Sequence, residues 1–364
     1  MNGAVASLAL VAAAVAQDSR PASRPSSAPA ASNASRAVDL GLAYLRRQQS
    51  EPDGSFSPAS VPRDRHAPVA FAAIAALAYM ADGNTETRGA YAPELRRSVD
   101  YLLSKAAFLG PAGEPEQAYF HAEGDELSRM HGHGYATLAL AQLTGMADPA
   151  AGPAREERIR RVLSAAVRLI EASQGDEGGW TYVPRRDADH EGSVTIALVQ
   201  ALRAARDAGI AVSSTTIRRA IDYVRRSQRP SDGAFRYKLD SPRASSALTA
   251  AAIATLNATG DYDSDAVDRG MRYLLAAIEK RRDSGSSRAE DPYPGYELLY
   301  TAQALRQHRD PSVFAKWIEQ ERPRWLERQQ PDGSWSDPYG PVFGTAVHCI
   351  VLRTEGSYLP ILQR

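Results

Sequence analysis

The sequence predicts an all-α fold in which six inner helices form a ring and six outer helices wrap it. Three observations predict it. A turn motif of Gln, Asp-Gly and an aromatic residue recurs along the chain, two kinds of helical segment alternate, and strand signals are sparse. Recurrence at intervals of about 50 to 70 residues marks a repeat architecture. Helices that are apolar on all sides are buried, and neighbours in sequence pack as neighbours in space. A closed ring satisfies both demands. An open solenoid of helix pairs is the competitor, and it would leave one face of the inner helices wet.

The 364 residues carry 43 Lys and Arg against 43 Asp and Glu, a formal net charge of zero, with 24% charged residues. This is the balance of a soluble globular chain, and it argues against a nucleic-acid surface. The single cysteine, Cys349, excludes an intrachain disulfide and a multi-Cys metal site. No cofactor is expected. Residues 1–16 read as a signal peptide: an apolar run from Val5 to Val11 leads through alanines to Ala14-Val15-Ala16, a small-x-small cleavage pattern before Gln17. The run is too short to span a bilayer comfortably. Export to the periplasm or cell surface, without stable membrane insertion, is therefore expected. Residues 17–35, rich in Ser, Pro and Ala, read as a disordered linker, and 36–364 as the ring.

Within the ring, the motif appears as Gln49…Gly54-Ser55-Phe56, Gln174…Gly179-Trp180, Gln228…Gly233-Ala234-Phe235 and Gln330…Gly333-Ser334-Trp335. Glycine reaches positive φ without a Cβ clash, so Asp-Gly supplies a tight turn. The glutamine amide has both donor and acceptor and can tie down orphan backbone groups at a helix end. The aromatic ring seals the turn from water. Two weaker copies keep only the helix, at Tyr101-Leu102-Leu103 and Tyr273-Leu274-Leu275. Amphipathic, Arg-rich outer helices are expected over 36–49, 93–108, 155–173, 214–228, 265–281 and 312–329. Ala-rich inner helices are expected over 67–81, 133–146, 193–208, 245–258, 296–307 and 343–353. Thr137, Thr195, Thr249, Thr301 and Thr345 stand near inner-helix starts, where they cap or back-bond.

The repeated Gln-x-x-Asp-Gly-x-Trp unit resembles the repeat of squalene–hopene cyclases and protein prenyltransferase β-subunits, which implies an α/α toroid over 36–364. His131-Gly132-His133-Gly134-Tyr135 and the ending Tyr358-Leu359-Pro360-Ile361 resemble exported bacterial members of that terpenoid cyclase-like family. The family's chemistries are matched less well. A class II cyclase uses Asp-x-Asp-Asp as its proton donor, whereas the nearest stretch here is Asp187-Ala188-Asp189-His190, preceded by Arg185-Arg186. A class I cyclase needs a carboxylate cluster for Mg²⁺, and no two Asp are adjacent. Asp261-Tyr262-Asp263-Ser264-Asp265 lacks the glycine and final Glu of a calcium loop, having Ala266 and Arg272 instead. The prenyltransferase zinc set fails because Val347 stands two before Cys349.

What remains is the mouth of the ring, where the loops entering the inner helices concentrate aromatic and polar groups. His131, His133, Tyr135, Tyr182, Arg243, Tyr296, Tyr339 and Phe343 are the candidate ligand-binding residues. Parallel inner helices would aim their N-termini at them, which suits an anionic or aromatic ligand. His131, His133 and His190 are a candidate metal set. The expected function is binding of a ligand (a peptide, lipid or glycan) at the mouth without catalysis. The alternative is an enzyme of the terpenoid cyclase or prenyltransferase type, or a lyase or hydrolase, working with Asp187, Asp189 and His190.

Overall fold

The computed structural model describes residues 28–56, 66–110, 115–125, 129–146, 148–186, 189–283, 292–356 and 359–362. The expected signal peptide, Asp187 and Tyr358 lie outside the described residues. The outer helices are α1 (Ala28–Gln48), α3 (Ala92–Ser104), α5 (Pro153–Ala172), α7 (Ser214–Arg226), α9 (Asp265–Asp283) and α11 (Pro311–Glu327). The inner helices are α2 (Pro68–Ala81), α4 (Arg129–Gly145), α6 (Gly192–Asp207), α8 (Ser246–Ala258), α10 (Pro294–Arg306) and α12 (Pro341–Arg353). Each inner helix packs on the next, and α12 returns to pack on α2 and α1, so the ring is closed. The chain is an all-α toroid of the expected order. Helix α1 starts at Ala28, inside the stretch expected as linker.

The two helix types behave as their composition dictates. Thirteen of the fourteen residues of α2 are buried, from Val69 to Ala81. In α7 only Thr216, Ala220, Tyr223 and Val224 are buried, and four arginines stand among the remaining residues. Proline opens α2, α3, α5, α10, α11 and α12, where its missing N–H is lost to no bond and its φ is already helical.

The turn motif turns out to be a joint between successive outer helices. Gln49 Nε2 donates to the carbonyl of Gly54 (3.3 Å) and to that of Glu94 in α3 (3.0 Å). Gln174 Nε2 does the same with Gly178 and Thr216, and Gln228 Nε2 with Gly233 and Ala266. The glutamine thus bridges its own turn and the first turn of the next outer helix, rather than its own helix end. The turn glycines have φ of 76° (Gly54), 94° (Gly178), 83° (Gly233) and 88° (Gly333). A Cβ there would fall 2.2 Å from the Arg97 carbonyl oxygen, 2.2 Å from that of Arg219, 2.7 Å from that of Arg269 and 2.5 Å from that of Leu40. Only glycine permits that approach.

Two assignments within the motif are corrected. In the last copy the bridging amide belongs to Gln329, which donates to Gly333 (3.0 Å) and to Ala37 of α1 (2.8 Å), while Gln330 reaches only the exposed carbonyl of Arg328. In the third copy the turn glycine is Gly178. Gly179 is kept small instead by His190, whose Cβ would lie 2.8 Å from a Cβ at that position. The indoles give the true register. Trp180 Nε1 donates to the Ile170 carbonyl and Trp335 Nε1 to the Trp325 carbonyl, each 2.8 Å. Trp325 therefore matches Ile170. The last joint runs from α11 to α1 and closes the ring.

The threonines link these turns to the inner helices. Trp180 N–H donates to Thr195 Oγ1, Phe235 N–H to Thr249 Oγ1 and Trp335 N–H to Thr345 Oγ1, at 3.1, 3.0 and 2.9 Å. The second repeat uses a different device. A hairpin of β1 (Ala106–Leu109) and β2 (Gln117–Phe120), paired antiparallel with Ala106 opposite Phe120, replaces the turn. Phe120 N–H donates to His133 Nδ1 (3.2 Å), and Thr137 only back-bonds within α4. The segment expected to be helix to 108 ends at Ser104 and continues as β1.

Two outcomes follow. Gln329→Ala removes the bonds to the Gly333 and Ala37 carbonyls and should lower stability by about 1–2 kcal/mol, whereas Gln330→Ala should change it by less than about 0.5 kcal/mol; urea midpoints of the two variants check this, and equal midpoints refute the joint. Trp180 and Trp335 are both 1% exposed. Trp180→Ala and Trp335→Ala should each cost about 3–5 kcal/mol, read as a fall in melting temperature.

Candidate functional site: an aromatic chamber at the inner-helix N-termini

The inner helices run parallel, and first-turn residues from all six surround one cavity of about 420 Å³. Ala67, Ala70 and Phe71 come from α2 and its lead-in, His131 and Tyr135 from α4, and Ser193 from α6. Ser245, Ala247 and Leu248 come from the start of α8, Tyr293 and Tyr296 from that of α10, and Tyr339 and Phe343 from that of α12. The preceding loops add Tyr182, Tyr237, Arg243 and Ala244. Small alanines on the inner walls leave the space, and aromatic rings line it. Tyr293 is 45% exposed, so the chamber opens to solvent at its rim.

Two loops carry the rim. The Tyr182 and Tyr237 hydroxyls meet at 2.5 Å, joining the loop before α6 to the loop before α8. The second loop is folded back on itself, with Tyr237 N–H donating to the Arg243 carbonyl (2.8 Å). Its Arg243 guanidinium lies 5.7 Å from the Tyr237 ring centroid and has no carboxylate partner among the described residues. Tyr293 and Tyr339 stack at 6.1 Å on the opposite side, and Tyr339 meets Phe343 edge-on at 5.7 Å. Deeper in, Tyr296 and Tyr300 rings lie 4.6 Å apart. The Tyr296 hydroxyl is buried and has no partner among the described residues. Burial pushes the Tyr135 hydroxyl up to about 12 and Tyr182 and Tyr296 higher still, so all three phenols are neutral.

Seven of the eight expected ligand-binding residues therefore line one chamber. His133 does not. It is fully buried in α4, with Nδ1 accepting from Phe120 N–H and Nε2 directed at the Ala166 carbonyl (3.3 Å), so it ties the hairpin and α5 to α4. The metal set is consequently not assembled. His190 is also buried, edge-on to Tyr223 at 5.9 Å with Nδ1 3.8 Å from Glu177, away from the chamber. No three His, Cys, Asp or Glu converge as a metal site among the described residues. Asp189 is 74% exposed and paired with Lys238, and neither it nor His190 lines the chamber.

A carboxylate beside the chamber is Glu191, which is 1% exposed and caps α6. Its oxygens accept from Ser193 N–H (3.0 Å) and Val194 N–H (2.8 Å), and Ser193 Oγ lies 2.8 and 2.9 Å from the two of them. Burial raises the Glu191 carboxyl to about 7, against the lowering effect of those donors. His131 Nε2 meets the same Ser193 Oγ at 3.0 Å, and burial lowers its imidazole to about 4, so it is neutral. A nucleophilic triad places the carboxylate on the far nitrogen of the histidine. Here carboxylate and imidazole both meet the hydroxyl, which is an arrangement for capping a helix and presenting polar atoms, not for activating a nucleophile.

The sequence matches no family model and no curated protein. Solved structures share the fold. The type II terpene cyclase MstE from Scytonema, in complex with geranylgeranyl dihydroxybenzoate, is 15% identical over 91% of this chain and 99% of that chain, with a TM-score of 0.52. Its apo form is 15% identical over 90% of this chain and 100% of that one, with a TM-score of 0.50. A protein from Actinoplanes is 16% identical over 88% of this chain and 98% of that one, with a TM-score of 0.52. The chain thus has a terpenoid cyclase-like fold.

The buried carboxyl sets a pH dependence. The Glu191 carboxyl is raised in the folded state, so its stabilising contribution is complete below the ordinary carboxylate range and is lost as pH rises through about 7. Relative to Glu191→Gln, the wild-type chain should lose about 3 kcal/mol between pH 4.5 and pH 8. Parallel unfolding free energies across that range would exclude it. His131 and His133, both lowered to about 4, act oppositely, their contribution being lost as pH falls from about 6.5 to 4. The comparison with Glu191→Gln separates the two effects.

Proposed function

We propose that this toroid holds an apolar, unsaturated or aromatic ligand in its tyrosine-lined chamber without transforming it. One observation carries the reading: among the described residues, no carboxylate lines the chamber. Protonating an alkene requires an acid in contact with it, and ionising a diphosphate requires clustered carboxylates for a metal. Glu191 is separated from the chamber by Ser193 and His131 and has both oxygens committed to helix N–H groups. The chamber has the volume of a small-molecule site, and its rings present π faces to a ligand. Arg243 at the rim and the Tyr296 hydroxyl inside supply the polar contacts. A lipid or an aromatic acid fits this lining better than a glycan.

A second reading, the terpenoid cyclase, is favoured by the fold shared with MstE, whose structures hold a prenylated aromatic substrate and a product. One assay separates the two. The protein is incubated with squalene and with prenyl diphosphates, with and without Mg²⁺. Products are sought by mass spectrometry, and retained ligand by native mass spectrometry. Binding without cyclic product is expected, and Tyr296→Ala or Phe343→Ala should weaken it by about tenfold or more, the scale of a lost aromatic contact. Cyclic product that disappears in Asp189→Asn or Glu191→Gln would overturn the binding reading.

Export belongs to the same proposal, supported by the apolar run and Ala14-Val15-Ala16. N-terminal sequencing of protein from its native source should begin near Gln17, and an intact Met1 would exclude it. No helix among the described residues is long and apolar enough to cross a membrane.

A further inference from the structure

The end of the ring opposite the chamber is stopped by the chain's own C-terminal segment. After α12 the connection 354–358 leads to Leu359, and Pro360–Leu362 forms one 3₁₀ turn against α4 and α6. Leu359, Ile361 and Leu362 are buried there at 2%, 6% and 4% exposure. Both polar groups of the Ile361 main chain are held by side chains. Its N–H donates to Gln142 Oε1 (2.9 Å), and its carbonyl accepts from Gln303 Nε2 (3.2 Å) and Gln307 Nε2 (3.3 Å). Gln303 Nε2 also reaches Gln200 Oε1 (3.1 Å).

These four glutamines are 1–4% exposed, at the alanine- and leucine-rich middle and C-terminal parts of α4, α6 and α10. Burying four primary amides in such a wall is costly unless each is satisfied. Three of them have a partner in the backbone of Ile361, and Gln200 Nε2 has none among the described residues. A primary amide offers the same donor and acceptor as a peptide group, so it reads main chain, and the sequence demand falls on the buried Leu359, Ile361 and Leu362. The aliphatic side chains then fill the space between the helix ends.

We infer that this end of the ring is a second binding site, for a short aliphatic peptide segment of the Leu-Pro-Ile-Leu kind. The chain fills it with its own residues 359–362, and the same sequence supplied in trans competes for it. The site is independent of what the chamber holds. A short tether gives a local concentration on the order of millimolar, so a site with a Kd of about 10–100 µM in trans stays about 90–99% filled in cis.

The test uses a chain ending at Gly356 and a fluorescein-labelled peptide with the sequence of residues 357–364, read by fluorescence anisotropy. The shortened chain should bind one peptide with a Kd of about 10–100 µM, and the full chain at least tenfold more weakly because its site is occupied. The double variant Gln142→Leu, Gln303→Leu of the shortened chain should bind at least tenfold more weakly, and a scrambled peptide should not compete. A shortened chain that is folded by circular dichroism and takes up no peptide, or binds the scrambled peptide equally, overturns the inference. If the shortened chain does not fold, a full-length chain with a protease site inserted after Gly356 is cut after folding. Exchange of the released segment for labelled peptide supports the site, and no exchange at millimolar peptide overturns it.

Discussion

The structure depends on one amide. In four repeats a glutamine Nε2 donates to two carbonyls, one in its own turn and one in the next outer helix around the ring. A positive-φ glycine beside it lets the turn lie directly on that helix's backbone. The bond fixes both the spacing and the tilt between successive outer helices. Four of the six steps between outer helices share this joint, and the step after α3 is made by the hairpin instead. Much of the closure is therefore built from local joints rather than imposed by the core. The core only has to be small enough, which alanine ensures.

The hollow follows from the same arithmetic of size. Six inner helices in a ring cannot fill their own axis with alanine side chains. One end of the axis is filled by a segment of main chain held by glutamines, and the other by aromatic rings that meet without filling it. Among the described residues, the only charged group on the chamber walls is Arg243, at the rim. The buried Glu191 is spent on the N–H groups of α6. The polar atoms that reach the chamber are hydroxyls and a neutral imidazole, which can orient a ligand but supply no strong acid.

Much of this is legible in the sequence, for reasons particular to each element. Helix type and order follow from burial: α2 has no charge to expose, and α7 has arginine on every outward turn. The chamber's aromatic residues announce themselves because Tyr and Phe at the starts of Ala-rich helices have few other reasons to be there. Phe71 hides within an otherwise uniform apolar run and gives no such signal. His131 and His133 look equivalent in sequence, yet the two-residue step, about half a turn of helix, sends His131 to the chamber and His133 to the wall. That difference depends on where α4 begins, and it begins at Arg129, earlier than the alanine pattern suggests. Gln329 and Gln330 differ by one residue, and only the indole-to-carbonyl spacing, a tertiary fact, identifies the bridging one. The hairpin of the second repeat was masked because His133 does there what threonine does elsewhere.

The joint between Gln329 and Ala37 gives the molecule a seam. Every other joint forms between neighbouring repeats as soon as both exist. This one spans 292 positions. Contacts of such separation form late, because the loop they close is long. A chain emerging from the ribosome carries the bare flanks of α1 and α2 until its last two helices arrive. A ring without its final repeat would expose the faces of α1 and α2 that α12 covers. The final repeat therefore acts as a clasp, and the time before it fastens is when the exposed faces of two chains can meet.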